Sequence, residues 1–347
     1  FLKTVRVSEK LSTMERKAYH ELLWEYRDLF PEDLGRYGEA KVEPVRIPLT
    51  DEVPVAIRRQ RFSKADEEEA NRQVDRLLEK GALQESRSNF NLQVMMVPKP
   101  NGTKRLVLNC KPINKKMKVD QYPMRNIQEI IDGLAGKVIF AKLDCLEGFH
   151  QLAVHPDDTH KLAFSTSTRH VEYKVLPFGV ANGPAAFQRV GNQLVEGIQD
   201  ASDYVDDVMV ASSTATANII ALRRLFDKAR TLAVKFSKKK SEFAMTEVKY
   251  LGFVVGADGV RPDEERVRCI QDATIPATQA ELRSFIGLAN QVRQFVPHFA
   301  DIVAPRTAAL GKDSFKFGAE ERQAFDNRKK EISKHGPLRY FDSSKPF

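Results

Sequence analysis

At 347 residues the chain is too long for one small core, and its 42% hydrophobic and 29% charged residues make an ordinary globular composition. No apolar stretch reaches the ~18 uncharged residues of a membrane span, and Phe1-Leu2-Lys3-Thr4-Val5 lacks the apolar core of a signal peptide, so no membrane partner is expected. A net charge of +8 favours a polyanionic partner, while three scattered cysteines, Cys110, Cys145 and Cys269, suit a reducing compartment and argue against a disulfide framework or zinc knuckle.

In chain order, residues 12–30 place Met14, Ala18, Leu22, Leu23, Tyr26 and Leu29 at helical spacing behind a Ser12 or Thr13 cap. This predicts an amphipathic helix, either packed on the main body or a dispensable leader. Prolines and turns break residues 31–54, with a short strand expected over 42–49. Ser63 opens a helix that Gly81 stops, burying Val74, Leu77 and Leu78. Residues 93–97 and 105–108 read as a hairpin about Pro98–Gly102 whose cationic tip can bend over a phosphate. Residues 122–134 are an extended lead-in and a helix ended by Gly136, and the apolar run 138–144 is a buried strand delivering Asp144 at its end. His150, His155 and His160 recur every five residues, which suits neither a helix face nor a usual ligand pair. Residues 161–165 and 171–175 alternate as strands, and Gly183-Pro184 opens a helix running to about Gly197.

Strand-like runs 201–205 and 208–211 flank Tyr204-Val205-Asp206-Asp207, and a tight turn there puts both carboxylates on one exposed tip. A periodic helix over 217–233 carries Arg223, Arg224, Lys228 and Arg230, with Lys235, Lys238, Lys239 and Lys240 directly after it; such clusters track phosphates without reading sequence, or form a solvated face. Residues 249–255 make a tight strand pair. Beyond Arg261-Pro262 the pattern is helical over 263–272, 278–289, 295–310 and 320–334. An Asp-Asp turn is common chemistry by itself. The second acidic strand changes its meaning, because two Mg²⁺ ions about 3.5–4 Å apart, clamping an in-line phosphoryl displacement, need carboxylates from separate strands.

Residues 138–152, the block Leu176-Pro177-Phe178-Gly179 through Arg189, and Tyr204–Asp207 resemble in order and spacing the palm motifs of reverse transcriptases, specifically the gypsy-type LTR retrotransposons of the Metaviridae. Ala280-Glu281-Leu282-Arg283-Ser284-Phe285-Ile286-Gly287-Leu288 resembles their thumb. The resemblance implies an α+β right-hand polymerase with an antiparallel palm sheet and helical thumb. Its expected parts are an N-terminal extension (1–50), fingers (51–118 and 152–182), palm (119–151 and 183–258), thumb (259–335) and the start of a connection or ribonuclease H-like region (336–347). It also implies the chemistry: Asp144, Asp206 and Asp207 catalytic, and the same acids with the Cys145 backbone carbonyl holding two Mg²⁺ ions, or Mn²⁺. On the nucleotide it implies Arg105, Lys99, Lys104, Phe178, Gly179 and Phe149, whose ring would exclude a 2′-hydroxyl. Against template or primer it implies Gln188, Tyr204, Val205, Leu251 and Gly252, with Arg223 and Lys238 as phosphate contacts.

The partners it implies are an RNA template, a DNA primer–template duplex, dNTPs, and the ribonuclease H and integrase parts of a parent polyprotein, in a cytoplasmic virus-like particle or the nucleus; a homodimer stays open. Two stretches depart from the family: Asn109-Cys110-Lys111-Pro112-Ile113-Asn114 where Asp-Tyr-Arg usually precedes Leu-Asn, and Ser88-Asn89-Phe90-Asn91-Leu92 where Ser-Pro-Tyr-x-Ser-Pro is usual. The tryptophan and proline usual before the thumb are replaced by Asp272-Ala273-Thr274-Ile275-Pro276. The competing expectation is a domesticated or decayed relative that binds nucleic acid without polymerising.

Overall fold

The computed structural model describes residues 1–99, 102–296, 299, 325 and 338. Its elements follow as β1 (Arg6–Val7), α1 (Thr13–Glu25), α2 (Lys64–Glu79), β2 (Leu83–Glu85), β3 (Val94–Pro98), β4 (Lys104–Leu108), α3 (Lys111–Asn114), α4 (Ile127–Asp132), β5 (Ile139–Asp144), β6 (Ala163–Ser165), β7 (His170–Tyr173), α5 (Gly183–Val195), β8 (Ala201–Tyr204), β9 (Asp207–Ser212), α6 (Ala215–Thr231), β10 (Glu242–Met245), β11 (Glu247–Tyr250), β12 (Phe253–Gly256), β13 (Gly259–Pro262), α7 (Glu264–Asp272) and α8 (Gln279–Asn290). Internal contacts divide them into two units, residues 1–126 with 141–245, and residues 127–140 with 246–347.

The first unit is built on a five-stranded sheet ordered β1-β10-β5-β9-β8, beside a three-stranded sheet β2-β7-β6 and the β3–β4 hairpin. Ser12 and Glu15 form a capping box that starts α1. Tyr19, Leu22 and Leu23 are buried, α1 packs on α6, and Tyr19 donates its hydroxyl to Asn218 Oδ1 at 2.9 Å. Met14, expected on that buried face, is 84% exposed. The stripe turns so that Tyr19 takes the inward position. Downstream, Phe30 sits among Phe226, Phe236 and Phe243 at ring distances of 5.6–5.9 Å, and Leu29 accepts the Phe236 N–H. The N-terminal segment is therefore part of the core.

Other expectations shift locally. Residues 42–49 form no strand and touch the fold through isolated bridges, Val45 to Val154 and Leu49 to Met117. Lys161 and Leu162 belong to a 3₁₀ turn, Pro156–Leu162, because Lys161 Nζ reaches back to the buried Asp158 carboxylate at 2.9 Å. Four strands were not expected from the sequence: β1, β2, β10 and β13.

In the second unit, β11, β12 and β13 form an antiparallel sheet. The β11–β12 turn is Leu251-Gly252, both left-handed with φ 51° and 86°, and a Cβ on residue 252 would fall 2.0 Å from the Arg266 guanidinium. Helices α7 and α8 match the helices expected over 263–272 and 278–289, and are capped by the Asp263 and Thr278 side chains respectively. The expected helices over 295–310 and 320–334, and the ribonuclease H-like strand, lie outside the described residues apart from Phe295, Val296, Phe299, Phe325 and Leu338; Leu338 bridges Val260.

Candidate active site

The β8–β9 hairpin closes with Tyr204 opposite Asp207, leaving Val205 and Asp206 as its two-residue turn. Val205, expected at the strand end, instead takes the left-handed conformation at φ 51°. In the sheet β5 lies beside β9, and the Cys145 N–H donates to the Asp206 carbonyl at 3.1 Å. That bond stitches the end of β5 to the acidic turn and brings Asp144, Asp206 and Asp207 together. The Ser237 N–H donates to the Asp144 carbonyl at 2.7 Å, fixing the strand end from the other side.

The three carboxylates differ in their surroundings. Lys240 Nζ lies 3.2 Å from Asp144 and Lys142 Nζ 3.3 Å from Asp207. Asp206 Oδ1 is buried without a hydrogen-bond partner. Burial, then the charges of Asp144 and Asp207, push the Asp206 carboxyl up to about 6; burial also raises Asp144, opposed by Lys240. Among the described residues no group of three or more acid, histidine or cysteine side chains is already drawn together as a metal site. An open set of hard oxygens, one without a protein partner, nonetheless suits Mg²⁺, which is held by one or two carboxylates and otherwise by water and phosphate. The Cys145 thiol is buried and raised well above its usual value by that burial, so it stays protonated.

Gly148 stands against this centre. A Cβ there would fall 2.8 Å from Asp206 Oδ1 and 3.0 Å from the Phe187 ring. Gly148→Ala is expected to slow primer extension about a hundredfold through displacement of Asp206, with the circular-dichroism melt little changed; wild-type extension would show that the space is not needed. Next to it, half-buried Phe149 meets Phe178 edge-on at 5.2 Å and Phe187 at 5.9 Å. Tyr37 donates to Glu147 at 2.7 Å, and His150, the larger influence, with Tyr37 holds that carboxyl down at about 2, anchoring the Phe149 loop.

Phe178 and Gly179 are exposed on a turn whose Gly179 has φ 94°. Asn114 clamps it, donating to the Gly179 carbonyl at 2.8 Å and accepting the Ala181 N–H at 3.0 Å. The departure 109–114 thus has a definite task here, and Cys110 within it is a buried thiol pushed up to about 12 by desolvation. On the β3–β4 hairpin Arg105 and Lys99 are exposed, whereas Lys104 pairs with Asp66 at 2.6 Å.

Three of the expected nucleic-acid contacts are engaged by partners within the protein. Gln188 is fully buried, with its amide turned to the acidic hairpin: Oε1 accepts the Val205 N–H at 3.0 Å, and Nε2 donates to Asn192 at 3.1 Å and to Asp203. All three of these bonds are made inside the protein. Arg223 donates to both oxygens of Glu25 at 2.7 and 2.8 Å, holding α1 on α6. Lys238 is 8% exposed and paired with Glu32. Of the remaining contacts, Tyr204 and Val205 are half-buried beside the acids, and Leu251-Gly252 form the β11–β12 turn. Asp203, Asn192 and Lys142 were not singled out from sequence.

A family model described as reverse transcriptase (RNA-dependent DNA polymerase) matches residues 97–255. Among solved structures, the foamy viral protease-reverse transcriptase in complex with dsDNA is 27% identical with a TM-score of 0.88, covering 97% of this chain and 71% of that one. The same protein in complex with RNA/DNA hybrid gives 26% and 0.86 over 95% and 45%. The fold is that of a reverse transcriptase polymerase. A retrovirus-related Pol polyprotein from transposon 297 of Drosophila melanogaster is 32% identical over 309 residues, 86% of this chain and 29% of that protein. Transposon Tf2-3 polyprotein of Schizosaccharomyces pombe is 31% identical over 278 residues, 79% and 21% respectively. This chain carries a reverse transcriptase domain homologous to those of transposon Pol polyproteins, and it spans less than a third of their length.

Proposed function

We propose that this is the polymerase portion of a gypsy-type LTR retrotransposon Pol polyprotein, extending a primer 3′-hydroxyl on RNA or DNA templates with dNTPs. The observation that carries the reading is the Cys145–Asp206 backbone bond, which joins two separate acidic elements into one centre with a buried, unpartnered carboxylate oxygen. Asp144 and Asp206 would hold two Mg²⁺ ions, or Mn²⁺, with Asp207 and the Cys145 carbonyl assisting. Bound there, the ions would offset charge on the attacking and leaving oxygens of the displacement. The chain's own contribution is placement: β5 and the hairpin fix the carboxylates, Phe149 shapes the sugar pocket, and exposed Arg105 and Lys99 offer positive charge to phosphates. The solved complexes of foamy viral reverse transcriptase with dsDNA and with RNA/DNA hybrid support duplex partners for this chain. Ribonuclease H and integrase segments of the same polyprotein, and a virus-like particle as its location, follow from the same assignment.

The test is primer extension on an RNA template with Mg²⁺ and either dNTPs or rNTPs. Wild type is expected to use dNTPs alone, and Phe149→Ala to raise rNTP use roughly ten- to a hundredfold. Tight duplex binding with no extension would overturn the polymerase in favour of a nucleic-acid binder.

A further inference from the structure

We infer that Asp203 is a positioning residue for Asp206, a buried carboxylate that sets the orientation of the Gln188 amide holding the acidic turn. The inference rests on the polymerase reading for its kinetic consequence only. Val205 is β-branched and left-handed, a conformation that costs energy and must be held from outside. The hold is its N–H on Gln188 Oε1 at 3.0 Å. Gln188 can offer that oxygen only while its Nε2 end faces acceptors. Asn192 Oδ1 is one, kept in place because Asn192 Nδ2 donates to the Tyr122 hydroxyl at 2.6 Å. Asp203 Oδ2 is the other. A carboxylate only accepts, so a flipped amide would set oxygen against oxygen at Asp203 and withdraw the acceptor from Val205.

The carboxylate occupies a built socket. Asp203 is fully buried, and a Cβ on residue 191 would lie 2.2 Å from its Oδ2, so Gly191 leaves the space it fills. Its other oxygen, Oδ1, has no hydrogen-bond partner and lies 3.7 Å from Arg125 Nη2. Burying a charge so incompletely paired is costly. Desolvation accordingly raises this carboxyl to about 6, with Arg125 opposing. An apolar side chain opposite Val208 would avoid that cost, which marks the position as held for its acceptor.

The experiment compares Asp203→Leu, which removes the acceptor, with Asp203→Asn, which keeps one. Asp203→Leu is expected to slow single-turnover nucleotide addition about tenfold, with duplex and dNTP dissociation constants within about twofold of wild type. Asp203→Asn should stay within about threefold. Hydrogen exchange of the peptide containing the Val205 amide should quicken about tenfold in Asp203→Leu and not in Asp203→Asn. Wild-type rate and exchange in Asp203→Leu would overturn the inference, as would equal losses of rate and duplex affinity in both variants, which mark a merely structural role. If Asp203→Leu fails to fold, Gln188→Met breaks the same link and is judged by the same readouts. If wild type does not extend primers, the polymerase reading fails and the exchange result alone decides the role of Asp203.

Discussion

Replacing Asp206 by asparagine is expected to leave the protein folded and bound to a primer–template duplex while extension falls about a thousandfold. The amide keeps the shape of the side chain and the Cys145–Asp206 backbone bond but removes the charge a divalent ion needs. Anisotropy with labelled duplex reads the binding, and a single-nucleotide extension gel reads the loss; extension within a few fold of wild type would remove Asp206 from the chemistry. The same variant has a stability signature. The Asp206 carboxyl, at about 6 when folded, lies above its unfolded value, so the native state holds the proton more tightly. Wild-type stability then falls as pH rises from about 4 to about 6 and stays lowered above that. Asparagine does not titrate. In metal-free buffer at pH 7–8 the variant's thermal midpoint should exceed wild type, the gap closing below pH 4.

Phe30→Ala is expected to cost about 3–5 kcal/mol in chemical denaturation, the usual loss for a buried phenylalanine whose neighbours cannot close the cavity. Its ring contacts Phe226, Phe236 and Phe243, on α6, the following loop and β10. The damage should also reach the active site. Leu29 accepts the Phe236 N–H at 2.8 Å, and the next residue, Ser237, bonds the Asp144 carbonyl. Deleting residues 1–31 should therefore lower both stability and extension. A deletion variant that unfolds and extends like wild type would restore the view of this segment as a leader.

The acidic centre was legible because its signals are local. Apolar runs ending in acids give β5 and the hairpin, and a two-residue turn leaves little choice of where Asp206 sits. The burial of Gln188 was not legible because it depends on side-chain fit: the gap at Gly191, one turn along the same helix, and the charge at Asp203 turn a polar helix position inward. Arg223 and Lys238 form a cationic series that looks like a phosphate track, yet their carboxylates, Glu25 and Glu32, lie 198 and 206 residues earlier. No local pattern announces such partners. The strands that went unseen have only two to four residues, too few for alternation to register.

The parallel pairing of β1 with β10 imposes an order on folding. Arg6 and Glu242 are 236 residues apart in the chain and adjacent in the sheet. During synthesis the first strand has no partner until nearly the whole first unit has left the ribosome. Closing so long a loop is entropically expensive and is repaid only when the flanking contacts form, so this edge is expected to be a late and slow step. Until then the aromatic residues that end the N-terminal segment stay uncovered, and the nascent chain passes through an interval in which chaperones have something apolar to hold.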